Sequence, residues 1–191
     1  MAKMNFDAYR FSISWPRIFP NGVGEVNWEG VAYYDRLINY LLKKGVTPYV
    51  NLHHYDTPEV LEKQFKGFLS RQIVDAYVNF ADFCFKIFDD RVKNWVTFNE
   101  PGIVALYGYD PGTAAPGRCS HPYGNCREGD STKGALYCCT QFHFMSCSRG
   151  PTISQEVSSS CIPLCMENIL NPCKSWLGRG YQSFLQVKST W

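Results

Sequence analysis

No run of about 18 apolar residues occurs anywhere in this 191-residue chain, so no transmembrane helix is expected. Charge of one sign is also scarce: 19 basic and 17 acidic side chains leave a formal net charge of +2. That balance argues against nucleic acid or an anionic membrane surface as the main partner. No CxxC pair is present, so a structural zinc site is not expected, and nothing in the sequence asks for a metal or a cofactor. The opening residues MAKMNFDAYRF lack the basic start, apolar run and small-residue cleavage site of a signal peptide. Aromatic residues, by contrast, make up 16% of the chain, which excludes the composition of a disordered segment. The length suits one ordinary domain or two small ones and is enough to bury a core.

Cysteine is not scarce, but its placement is odd. Six of the nine cysteines follow Lys133, where charged residues thin out to Arg149, Glu156, Glu167, Lys174, Arg179 and Lys188. An odd count with no visible export signal does not make a disulfide framework. The chain changes character near Lys133.

Before that point strand and helix signals alternate. Asp7 to Trp15 (DAYRFSISW) alternates polar with apolar residues and reads as a strand. Pro16, Pro20, Asn21-Gly22 and Gly24 mark a loop. Asn27 is a candidate N-cap for a helix whose apolar stripe is Val31, Tyr34, Leu37, Ile38, Leu41 and Leu42, with Gly45 at its end. Thr47 to Leu52 is a short apolar strand that runs into His53-His54. Ser70 caps a second helix with Ile73, Val74, Tyr77, Phe80, Ala81, Cys84, Ile87 and Phe88 on one face. Asn94 to Phe98 is a third strand, ending at Asn99-Glu100-Pro101. Short apolar strands separated by amphipathic helices predict βαβ units and a parallel sheet. From Gly134 the periodicity fails, and Pro151, Pro163 and Pro172 break the segment further, so no element is assigned there.

Polar residues gather where the predicted strands end, which in parallel α/β folds is the edge that binds ligands. Glu100 is the first candidate. A carboxyl at the rim of an apolar barrel can serve as a general acid, and Asn99 beside it can hydrogen-bond sugar hydroxyls. A strand-end Glu that caps the next helix is the alternative. His53 and His54 point to opposite faces, which disfavours one metal between them and leaves either a satisfied polar group or a ligand-binding histidine at the sheet mouth. Arg10 lies inside a strand. If buried it needs a carboxylate partner; otherwise it sits on an exposed face. Cys119 and Cys126 flank SHPYGN, where a local disulfide would staple a loop at the rim, and two free thiols are the alternative.

Three motifs in order, YRFSISWPRIFPNG (Tyr9 to Gly22), NLHHYDTP (Asn51 to Pro58) and TFNEP (Thr97 to Pro101), resemble glycoside hydrolase family 1, and APGRCS…GNC (Ala115 to Cys126) resembles its plant β-glucosidase branch. The resemblance covers about Met1 to Lys133. It implies a TIM (β/α)8 barrel and retaining hydrolysis of β-glucosides or oligosaccharides by two glutamates roughly 5 Å apart. It implies that Glu100 is the acid/base (proton donor), that Asn99 and His54 bind the sugar, that Arg10 pairs with the nucleophile's carboxylate, and that Cys119 and Cys126 form a disulfide. Tyr55 stands where the family's H-W-D motif has Trp. Members are commonly secreted or vacuolar.

The same resemblance exposes what is missing. No second glutamate in an I/V-T-E-N-G setting occurs in the sequence; Glu156 and Glu167 do not match it. Two segments are therefore expected. Residues 1–133 make a partial barrel of about three of the eight βα units, and residues 134–191 make an irregular tail. Codons for GALYCCTQFHF read one nucleotide along can give E-P-Y-I-V-A-H-N-F, which the family carries after such a loop, so the tail is expected to be family sequence translated out of frame. Without a nucleophile the chain is expected to be inactive. A sugar-binding protein without catalysis, a fragment that assembles with a full-length relative, or the product of a disrupted gene with no function of its own stand beside this reading.

Overall fold

The computed structural model describes residues 4–147. Within them lie three strands, β1 (Ala8–Ser12), β2 (Thr47–His53) and β3 (Asn94–Phe98). All are parallel, in the order β1-β2-β3, with Arg10 opposite Tyr49 and Val50 opposite Trp95. The helices are α1 (Trp15–Ile18), α2 (Trp28–Lys43), α3 (Glu59–Phe65), α4 (Gln72–Phe88), α5 (Pro101–Tyr109) and α6 (Gly134–Cys147), with a 3₁₀ turn at Gly67–Leu69. None of these helices is long and apolar enough to cross a membrane.

The capping chemistry of α2 matches the sequence. Asn27 accepts from the Glu29 and Gly30 backbone N–H groups at 3.2 and 3.4 Å, filling donors that a helix start leaves unpaired. Gly30 is needed for another reason: a Cβ there would sit 2.2 Å from the Arg17 carbonyl, so only glycine lets α2 approach α1 this closely. At α4, Ser70 Oγ accepts from Gln72 N at 3.2 Å. The core lies between the sheet and these helices. Trp15 is fully buried, stacks on Phe80 of α4 at 5.3 Å and donates from Nε1 to the Gly22 carbonyl. Each such large apolar side chain contributes about 1.5–3 kcal/mol by leaving water.

Two expectations change. β1 ends at Ser12 rather than Trp15, because Trp15, Pro16 and Arg17 turn into the short helix α1. Residues 134–147, expected to be irregular, form α6 and bury Cys138, Phe142 and Met145 in the same core. Phe142 stacks on Phe68 at 4.4 Å and meets Phe98 edge-on at 4.9 Å. The rest of the expected tail, 148–191, lies outside the described residues.

Candidate active site

The C-terminal edge of the sheet collects the predicted site residues. β2 delivers His53, and the chain then turns through His54 and Tyr55, with Asp56 accepting from the His54 N–H at 3.2 Å. β3 delivers Asn99 and Glu100, and Pro101 opens α5. Two residues here adopt the left-handed region that L side chains avoid: Tyr55 at φ +65° and Glu100 at φ +40°. Neither is glycine, so packing and hydrogen bonds must hold both in place.

The two histidines separate as strand alternation requires. His53 is buried against Phe68 and Phe98, with its Nε2 2.9 Å from Thr57 Oγ1. Burial is the main reason its pKa is pushed down to about 4; the nearby Asp56 opposes that shift and His54 adds to it. His53 is therefore a neutral core imidazole at pH 7. His54 is exposed at the site, edge-on to the Tyr55 ring at 5.1 Å.

Arg10, Asn99, Tyr55 and Glu100 form one hydrogen-bonded line. Arg10 Nη2 donates to Asn99 Oδ1 at 2.7 Å, Asn99 Nδ2 donates to the Tyr55 hydroxyl at 3.0 Å, and that hydroxyl donates to Glu100 Oε2 at 2.9 Å. Arg10 is exposed, and among the described residues it pairs with the Asn99 amide rather than with a carboxylate. The alternative of a buried Arg10 is thereby set aside. Glu100 does occupy the N-cap position of α5, where its backbone carbonyl accepts from the Ile103 N–H at 2.9 Å, but its side chain makes no cap hydrogen bond and is turned to Tyr55 instead. Beside this line a cleft of about 520 Å³ opens, with His53, Tyr55, Phe68, Ile103 and Tyr109 among its walls.

Cys119 and Cys126 are disulfide-bonded, with Cα atoms 5.4 Å apart. Arg118, next to the bridge and 7% exposed, pairs with Glu62 of α3 at 2.6 Å and with Glu128 at 2.8 Å. Sequence reasoning missed Arg118 and the hydroxyl of Tyr55. For Arg118 no local signal exists, since Glu62 is 56 residues away. Among the described residues no group of three His, Cys, Asp or Glu side chains could hold a metal ion.

A parallel βα sheet with polar side chains gathered at its C-terminal edge is the ligand-binding arrangement of α/β folds, the barrels among them. The chain belongs to glycosyl hydrolase family 1, whose profile matches residues 1–134. It is 64% identical over 131 residues to Beta-glucosidase 44 of Arabidopsis thaliana, a match covering 69% of this chain and 26% of that relative. Beta-glucosidase 1 of Oryza sativa subsp. japonica is also 64% identical over 131 residues, covering 69% and 25%. The matched region thus spans about a quarter of the length of these plant relatives. Among solved structures, a rice beta-glucosidase superposes with a TM-score of 0.74 at 50% identity, covering 76% of this chain and 31% of that one. A family 1 β-glucosidase from Thermotoga maritima gives 0.68 at 39% identity, covering 76% and 30%. The three-stranded sheet is consistent with a fragment of their barrel.

Proposed function

We propose that this chain carries the acid/base side of a retaining β-glucosidase site, within about three of the eight βα units of the barrel. The observation that carries the reading is the Asn99-Glu100 pair at the sheet edge, in a segment 64% identical to plant β-glucosidases. Glu100 protonates the glycosidic oxygen as the aglycone leaves, then takes a proton from water in the second step. Asn99 holds the sugar 2-hydroxyl and His54 a further hydroxyl. Arg10 is the partner for a nucleophile carboxylate by its match to the family motif, and Cys119–Cys126 staples the rim. The substrate class is a β-glucoside or oligosaccharide.

The second carboxylate has no match in the 191 residues, so the chain alone completes neither glycosylation nor deglycosylation. Purified protein is expected to leave a chromogenic β-glucoside intact. Clear turnover abolished by Glu100→Gln would overturn that expectation.

A second reading, sugar binding without catalysis, is favoured by His54 and Asn99 both lying at the open edge of the sheet. Saturable binding of a glucoside in calorimetry, lost in His54→Ala, supports it. Association with a full-length relative is tested by co-purification. The division of the chain near Lys133, with out-of-frame sequence beyond it, is supported by a family match that stops at residue 134. The transcript decides: if no reading frame restores family sequence there, the division has another cause.

A further inference from the structure

The geometry points to Tyr55 as a positioning residue that holds the Glu100 carboxyl and ties it to the sugar-binding amide of Asn99. The assignment of Glu100 as acid/base rests on the function proposed above; the contact itself rests on the structure alone.

The direction of every hydrogen bond in the line is forced. A guanidinium can only donate, so the Asn99 oxygen must face Arg10 and its nitrogen must face Tyr55. That nitrogen donates to the phenol oxygen. The single phenol proton is then free to go to Glu100 Oε2. Each bond polarises the next toward the carboxylate. With Oε2 accepting from the phenol, the rotation of the carboxyl group is restrained and Oε1 is the oxygen outside this line.

The backbone supports the same assignment. Tyr55 and Glu100 lie 45 residues apart, on turns after different strands, and both sit in the left-handed region. Holding two bulky residues there is unfavourable in each turn, and what the two strained turns bring together is one phenol hydroxyl and one carboxylate. Tryptophan at position 55 would place an N–H donor on a larger ring, with no oxygen to accept from Asn99. The tyrosine hydroxyl both accepts from Asn99 and donates to Glu100.

The phenol reports the contact through its own ionisation. Burial raises the Tyr55 pKa, donation to Glu100 raises it further, and acceptance from Asn99 lowers it. The test follows Tyr55 by ¹³C NMR of labelled tyrosine in the whole chain, with Tyr55→Phe assigning the signal. Glu100→Gln is expected to lower its titration midpoint, since both the hydrogen bond to the carboxylate and its charge raise it. Asn99→Ala is expected to raise it. Opposite responses uphold the line; an unmoved midpoint, or two shifts of the same sign as a general loosening would give, overturns it. A double-mutant cycle at pH 7 with Tyr55→Phe and Glu100→Gln reads the same contact in urea midpoints. Non-additive shifts uphold it and additive shifts overturn it. Glucoside calorimetry on the same samples separates the two conclusions: binding with an unresponsive Tyr55 overturns the positioning role alone, and a responsive Tyr55 without binding overturns the function and leaves the contact standing.

Discussion

His53 shows how one buried ring ties the site to the stability of the fold. In the unfolded chain its imidazole titrates near the ordinary value of 6.5, and in the folded protein burial holds it down to about 4. The folded state therefore binds fewer protons in that window. The stability this residue contributes is fully present above pH 6.5 and is lost as pH falls toward 4. At pH 5 the expected loss is about 2 kcal/mol. Urea denaturation at pH 7 and pH 5, compared between the wild type and His53→Leu, isolates the term; equal pH dependence in both proteins would rule it out. At this scale the sequence was partly legible. Strand alternation alone puts His53 and His54 on opposite faces; that His53 is the buried one is set by tertiary packing. Alternation does not reveal that Arg10 meets the Asn99 amide, because that pair is 89 residues apart and depends on the register of three strands.

Legibility of the elements follows from contrast between their faces. α2 and α4 carry an apolar stripe against polar residues, and both are readable from periodicity. α5 (PGIVALYGY) is apolar all round, so it has no stripe to detect. In α6, Cys138, Phe142 and Met145 do fall at helical spacing, but the apolar Leu136 and Tyr137, which lie outside that buried set, blur the contrast. Burial by tertiary contact, not local pattern, selects these helices. Phe142→Ala is therefore expected to cost about 3–5 kcal/mol through the cavity left against Phe68 and Phe98. An unchanged denaturation midpoint would show that α6 contributes nothing to the core. α3 offers the opposite kind of change. It ends at Lys66, a non-glycine residue at φ +65°. Lys66→Gly is expected to stabilise the protein by about 0.5–1 kcal/mol, since only a weak exposed pair with Glu128 at 3.9 Å is lost in return. A lower thermal midpoint for Lys66→Gly would contradict this.

Across the whole molecule, the βα units are joined by more than the sheet. Arg118, from the segment after α5, reaches α3, which follows β2, so one guanidinium ties the second unit to the third and anchors the disulfide loop beside the cleft. Its side chain is 8% exposed and that of Glu62 is 21% exposed. Removing one partner of such a buried pair leaves the other charge poorly solvated, so Arg118→Ala is expected to cost about 3 kcal/mol. Arg91 makes superficially similar pairs, with Asp35 at 2.6 Å and Asp90 at 3.0 Å, but those carboxylates are 41% and 68% exposed. Water replaces the guanidinium there, so Arg91→Ala is expected to cost about 1 kcal/mol or less. The number and length of the ion pairs cannot distinguish the two arginines; burial alone predicts the difference. Chemical denaturation of both variants at one ionic strength measures it. Equal losses would mean that the loop carrying Cys119 and Cys126 is held to α3 by the surrounding apolar contacts and not by Arg118.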